Sequence, residues 1–316
     1  MKKRRFLIRT ILATVLTTIV LQVLVSLVGV GLFYHFFYAR YDDYCPTDLK
    51  ETDLTAVHTP VTFASGGNTL SGLFIGNGQK GLIVIVHGLN SGMDAHFAEA
   101  DYFAAQGYTV FTFDGRGTRS SGGASRDSVS SMRDDLDAAL DYLATTSYAS
   151  YTLYLYGHSS GGYAVATTAA RATATAALCA FDSPLDVMCE TADRVTGFLS
   201  RLQRPFLALW NRWKAGADAN ERASAVLNRT DANILIISAD RDGVIPPGCA
   251  LAASEITDPN ATYATYPGGH SDLWLSEAAL AYRSETGRDS ETVDRLRYTA
   301  VDTDFLDDVL AFFDAA

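Results

Sequence analysis

From Ile11 to Ala39 the chain carries no Asp, Glu, Lys or Arg and is dominated by Val, Leu, Ile and Phe. As a helix this run would extend about 43 Å, more than the roughly 30 Å hydrocarbon core of a bilayer. The pattern therefore predicts a tilted membrane span, or one whose end enters the headgroups, with Phe33, Tyr34, Phe36, Phe37 and Tyr38 as an interfacial belt. Residues 41–59 are polar and read as a stalk. Beyond them strand-like segments begin, at 61–65, 69–75, 82–88, 108–114, 151–157, 176–182, 233–239 and 261–266. Leu82 to Val86 and Ile234 to Ile237 are continuous apolar runs, the pattern of strands covered on both faces of a parallel sheet. The first two segments, joined by the short turn 66–68, predict an antiparallel start.

Helical spacing fills the intervals at 93–106, 127–144, 160–172, 247–256 and 302–314, and this alternation predicts an α/β sheet with helices on both sides. The alternation breaks at about 184–230. There Phe198, Leu202, Phe206, Leu209, Trp210 and Trp213 recur at helical spacing among Arg194, Arg201, Arg204, Arg212 and Lys214. This reads as a helical insertion over one end of the sheet, with Pro205 opening its second helix. Residues 274–300, rich in Ser, Glu and Arg, carry no legible pattern.

Charge sharpens the picture at the N-terminus. Lys2, Lys3, Arg4, Arg5 and Arg9 precede the apolar run and only Arg40 and Lys50 lie just beyond it, so the positive-inside rule places residues 1–40 as a cytoplasmic basic tail and single-pass signal anchor in the cell membrane. The membrane is met through residues 11–39, and the domain from residue 60 to 316 is expected outside the cytoplasm. A cleaved signal peptide would have a shorter apolar region and an Ala-x-Ala-like site, whereas this run ends in 36-FFYARYDDYC-45. Without the six basic residues of the first forty, 19 Lys and Arg face 36 Asp and Glu, a net charge of −17. Such a surface is a poor partner for nucleic acid. Cys45, Cys179, Cys189 and Cys249 lack metal-ligand spacing; they allow three disulfide pairings, or free thiols, and the sequence does not choose.

The candidate chemistry sits in 153-LYLYGHSSGGYAVA-166. Gly-x-Ser-x-Gly fits one frame, centred on Ser159, with a strand before it and an Ala-rich helix after. Three fixed positions arise by chance in roughly one chain in ten, so the strand-turn-helix setting carries the reading: small residues at −2 and +2 let the chain turn sharply and lift the serine hydroxyl clear of the sheet. A serine nucleophile needs a base, and His270, in 266-YPGGHSD-272, is the one histidine beyond Ser159. Between them 238-SADRDGVIPP-247 offers Asp240 and Asp242; Asp242, before a turn into the next element, is the preferred orienting acid, and Asp240 is expected to brace the turn. The amides of Leu89, after Gly88 in 87-HGLNSG-92, and of Ser160 are the expected oxyanion donors. His87 and His158 are expected to support structure rather than to act as bases.

Taken in order, 82-LIVIVHGLNSG-92, 108-YTVFTFDGRGTRSSGG-123, 155-LYGHSSGG-162, 242-DGVIP-246 and 268-GGH-270 resemble the serine-hydrolase branch of the α/β-hydrolase superfamily, with its lysophospholipase-like, thioesterase-like and prolyl-aminopeptidase-like members. The resemblance implies a mostly parallel eight-stranded sheet with helices on both faces and a small helical cap. It also implies Ser159 as nucleophile, His270 as base, Asp242 as orienter and Leu89 and Ser160 as the oxyanion hole, with neither cofactor nor metal. Gly-Arg-Gly-Thr-Arg stands where an aromatic often follows the Asp, which blocks transfer of substrate specificity. The expected function is a membrane-anchored serine hydrolase acting on carboxylic esters or thioesters of a small or lipid-like acyl substrate through an acyl-enzyme. A serine peptidase or aminopeptidase of the same fold is the alternative, and a non-catalytic binding module the third reading.

Overall fold

A computed structural model describes residues 2–197, 200–286 and 293–316. Helix α1 runs from Lys2 to Phe37, and it is long and apolar enough to cross a membrane. Eight strands follow, in the places the apolar runs predict: β1 (His58–Ser65), β2 (Asn68–Ile75), β3 (Leu82–Val86), β4 (Thr109–Phe113), β5 (Leu153–His158), β6 (Ala174–Leu178), β7 (Ile234–Ala239) and β8 (Ala261–Tyr266). They form one sheet in the order β1-β2-β4-β3-β5-β6-β7-β8. β2 is antiparallel to both β1 and β4, and every other pairing is parallel.

The helices α2 (Phe97–Ala105), α3 (Ser131–Leu143), α4 (Ser160–Thr168) and α10 (Thr303–Asp314) cover the sheet, while α5 (Pro184–Thr196), α6 (Ser200–Ala215) and α7 (Ala223–Leu227) form the insertion. Alternation along β3 divides the core. Val84 and Val86 join Leu136 and Val165 on one face, whereas Ile83 and Ile85 join Phe97, Phe103 and Phe305 on the other. All five β3 side chains are buried, which is why the strand reads as an unbroken apolar run. The two helices before α10, α8 (Glu277–Glu285) and α9 (Arg295–Tyr298), occupy the illegible tail. Arg295 clamps that tail to Asp53 through Nε and Nη2 at 2.7 and 2.9 Å.

Several expectations need correction. The helix expected at 247–256 is instead two single 3-10 turns, Pro247–Cys249 and Leu251–Ala253. Between them Ala250 is extended, bridged to Phe181, and Leu251 N–H bonds the Ala180 carbonyl, so pairing beyond the end of β6 overrides local helical preference. Pro205 does not open a helix but lies inside α6, where its missing N–H removes one rung near the start. Phe198 lies outside the described residues.

The aromatic belt is split. Tyr34 and Tyr38 are buried in the domain core with Val30, and Phe36 is 73% exposed. The expected stalk lies on the domain, with Thr47 and Leu49 buried. Tyr41 exchanges main-chain bonds with Gly117 and Arg119, and Arg126 donates to the carbonyls of Phe37 and Ala39, both at 2.8 Å.

Candidate active site

The turn after β5 has the geometry the glycine spacing predicts. Ser159 sits at φ +58° and ψ −116°, a conformation costly for any residue with a Cβ. Its N–H bonds the Leu178 carbonyl at 2.8 Å, and its own carbonyl receives the Tyr163 N–H at 3.0 Å, so the strand is stapled into the helix on both sides of the bend. A Cβ on Gly157 would overlap the Gly161 main chain, and one on Gly161 would overlap the Val86 carbonyl. Glycine is therefore required at both flanks by the approach of α4 to β5 and β3. Ser159 is partly exposed at the apex, while Ser160 is buried as the first residue of α4.

The loop after β3 completes the corner, with Gly88 so close that a Cβ there would lie 3.2 Å from that of Ser159. His87 controls the orientation of this loop. Its Nε2 accepts the Gly115 N–H at 3.1 Å, so Nδ1 carries the proton and donates to the Gly88 carbonyl at 2.7 Å. That carbonyl shares a peptide plane with the Leu89 N–H, which must point the opposite way. Among the described residues neither the Leu89 nor the Ser160 N–H meets a protein acceptor. Burial lowers the His87 pKa to about 3, which keeps the ring neutral and this tautomer in place.

His270 follows β8 through Gly268, whose φ of +149° requires glycine. The His270 Nδ1 lies 2.8 Å from Asp242 Oδ2. The other Asp242 oxygen accepts the N–H groups of Val244 and Ile245 at 2.8 and 3.0 Å. Burial raises the Asp242 carboxyl, but the His270 bond and the amides outweigh it and the net shift is downward. Asp240 accepts the Gly268 N–H at 2.8 Å and so braces the histidine loop.

Sequence reasoning left His158 without a contact. Its Nε2 donates to the His270 carbonyl at 2.8 Å, and its ring lies 4.7 Å from the His270 ring. Burial, aided by the neighbouring imidazoles, holds its pKa far below the ordinary value. Trp274, from the illegible tail, packs against both His96 and His158, while His96 is paired with buried Glu99 at 2.6 Å.

Cys179, Cys189 and Cys249 are buried free thiols. Cys179 lies beside the acid, with potential ligand atoms of Cys179, Asp242 and His270 within 4.8 Å of one another. Burial pushes its thiol up to about 12 and Nδ1 of His270 is taken by the carboxylate, so this trio is a poor metal site as it stands.

Ser159, Ser160, Leu89 and His270 line one cavity of about 540 Å³, with Asp242 behind His270. Its walls include Met188 and Val187 of α5 and, unforeseen from sequence, Phe37 and Tyr38 at the end of α1. Among the described residues Arg119, Arg194 and Arg283 also line it, against one acid, Asp48.

Residues 77–215 match the family model described as serine aminopeptidase, S33; the stretch contains Ser159 and both proposed oxyanion amides but ends before Asp242 and His270. No curated protein matches the chain by sequence. Among solved structures, the Pyrococcus furiosus esterase Pf2001 is similar at 15% identity and a TM-score of 0.58, over 87% of this chain and 98% of that one. Est1E from Butyrivibrio proteoclasticus is similar at 16% identity and a TM-score of 0.54, over 81% and 99%. At these identities the likeness concerns the fold alone.

Proposed function

Since the chain has the α/β-hydrolase fold, we propose that it is a membrane-anchored serine esterase, with Ser159 as nucleophile, His270 as general base and Asp242 as the group that orients it. The observation that carries this reading is one cavity joining a serine at a strained strand-to-helix turn, two unspent amides and an imidazole held by a carboxylate. Among the described residues the Ser159 hydroxyl has no hydrogen-bond partner, so its bond to His270 forms as substrate fills the site. His270 Nε2 then takes the hydroxyl proton as Ser159 Oγ bonds the carbonyl carbon, and the amides of Leu89 and Ser160 receive the developing oxyanion. Collapse expels the alkoxide or thiolate with that proton and leaves the acyl-enzyme. Water, deprotonated by the same imidazole, releases the acid and restores Ser159.

The family match favours a peptidase as second reading, since the same groups cleave amides. The cavity favours esters: recognition of a free amino terminus calls for carboxylates, and among the described residues three arginines and one acid line it. Membrane attachment through α1, with the basic tail in the cytoplasm and the domain outside, is part of this proposal; the apolar helix and the positive-inside rule support it.

A fluorophosphonate probe should label the full-length protein, and Ser159→Ala should abolish labelling. Absence of wild-type labelling would sink the hydrolase reading. Turnover of aminoacyl amides above that of matched acyl esters would favour the peptidase.

A further inference from the structure

This inference rests on the anchor reading and concerns the outer face of α6. Arg9 is the last charged residue before the apolar run. The ~20 residues that cross hydrocarbon as a helix therefore end near Gly29. From Ser26 onward α1 has a buried stripe, Ser26, Val30 and Tyr34, each four residues from the last. Its neighbour is α6: a Cβ on Gly31 would come within 3.3 Å of the Trp210 ring, and the Tyr34 hydroxyl bonds Asn211 Oδ1 at 3.1 Å. α6 thus runs beside α1 at the depth where hydrocarbon gives way to headgroups.

The side of α6 turned from the domain is apolar. Leu202, Leu209 and Trp213 are 57%, 64% and 70% exposed. With half-buried Phe206 they follow the i, i+4, i+7, i+11 spacing of a single stripe. Exposed Arg212 flanks it, and the Lys214 ammonium lies 5.3 Å from the Trp213 ring. Trp213 packs edge-on against Trp210, so the stripe is continuous with the contact to α1. A short apolar face ending in tryptophan and bordered by cations suits a lipid interface.

We propose that α6 is an in-plane membrane helix: it lies in the headgroup layer with Leu202, Phe206, Leu209 and Trp213 turned toward the acyl chains, so the cap is seated on the bilayer and the cavity takes amphiphilic esters from that leaflet. The cavity wall is built into this contact. Met188 lines the cavity, and its sulfur lies 3.3 Å from the Tyr34 hydroxyl of α1.

The test reconstitutes the full-length protein and Trp213→Phe into vesicles of two parts phosphatidylcholine, some of it brominated high on the acyl chains, and one part phosphatidylglycerol. Brominated lipid should quench at least twice as much emission in the wild type as in Trp213→Phe, and aqueous iodide should not remove that difference. Leu209→Trp combined with Trp213→Phe moves the reporter one turn along the stripe and should restore the quenching. If the reporters are quenched by iodide and not by brominated lipid, in vesicles that co-float with the protein, the placement of α6 is overturned while the anchor stands. Protein that does not co-float with vesicles overturns both. An unchanged rate on a water-soluble short ester, with at least a tenfold loss on a vesicle-borne ester in Leu202→Ser/Leu209→Ser/Trp213→Ser, supports the seating. Equal losses on both substrates count against it.

Discussion

On the proposed mechanism His87, outside the chemistry itself, sets the chemistry's geometry. Its Nδ1–H holds the Gly88 carbonyl, and through that peptide plane aims the Leu89 amide. His87→Ala should therefore lower kcat by about 10²-fold, the order seen when an oxyanion donor is lost, with KM changing far less; steady-state kinetics on a short ester reads the split. The same ring makes stability depend on pH. Its pKa is about 3 in the fold against an ordinary 6.5, because burial disfavours the charged form. Below pH 6.5 the unfolded chain binds a proton that the folded protein does not accept until about pH 3. Stability is thus complete above 6.5 and falls as pH drops through that window, by up to about 1.4 kcal/mol per unit. His158 acts in the same direction. Chemical denaturation at pH 7 and 4.5 should show the loss, and His87→Gln, which has no titrating ring, should show a smaller one. Asp242→Asn tests the third member: an amide cannot hold His270 in the proton-accepting tautomer, so kcat should fall by about 10⁴-fold while the fold persists.

At the scale of elements, close approach explains what was legible. α4 lies so near β3 that a Cβ on Gly161 would meet the Val86 carbonyl. Gly161→Ala should cost about 1–3 kcal/mol by overpacking, seen as a lower denaturation midpoint, and should weaken fluorophosphonate labelling because the Ser159 turn moves with it. Such contacts leave sharp marks in sequence: glycines at fixed offsets, and continuous apolar runs where both faces of a strand are covered, as in β3 and the first four residues of β7. The positions of Ser159, Asp242 and His270 were readable for the same reason, since each follows a strand. Contacts between distant segments leave no local mark. Ala250 is extended because it meets Phe181, Trp274 packs against histidines far away in the chain, and Tyr34 and Tyr38 are aromatic whether they face lipid or the domain core. Aromatic residues at a helix end look alike in both settings, so the buried half of the belt was indistinguishable from the exposed half.

For the whole molecule, the decisive feature is the seam between α1 and the domain. Val30, Tyr34 and Tyr38 are buried there, and burial of three such side chains contributes about 5 kcal/mol. Arg126 adds a polar tie, bonding the Phe37 and Ala39 carbonyls while its Nη1 reaches Asn90 in the loop that presents Leu89. A chain beginning at Tyr41 should therefore melt well below one beginning at Val25, and should turn over even a water-soluble ester more slowly. Equal melting and equal rates would mean that the seam contributes nothing. The seam has a kinetic consequence as well. An enzyme on a flexible tether samples a shell of solution around its anchor, whereas one fused to its anchor through a packed joint holds its reaction centre at a fixed height. On the proposed reading, turnover of a bilayer-resident ester would follow the fraction of substrate in the lipid surface rather than its bulk concentration. Adding inert lipid at constant total ester should then slow the reaction, by surface dilution alone.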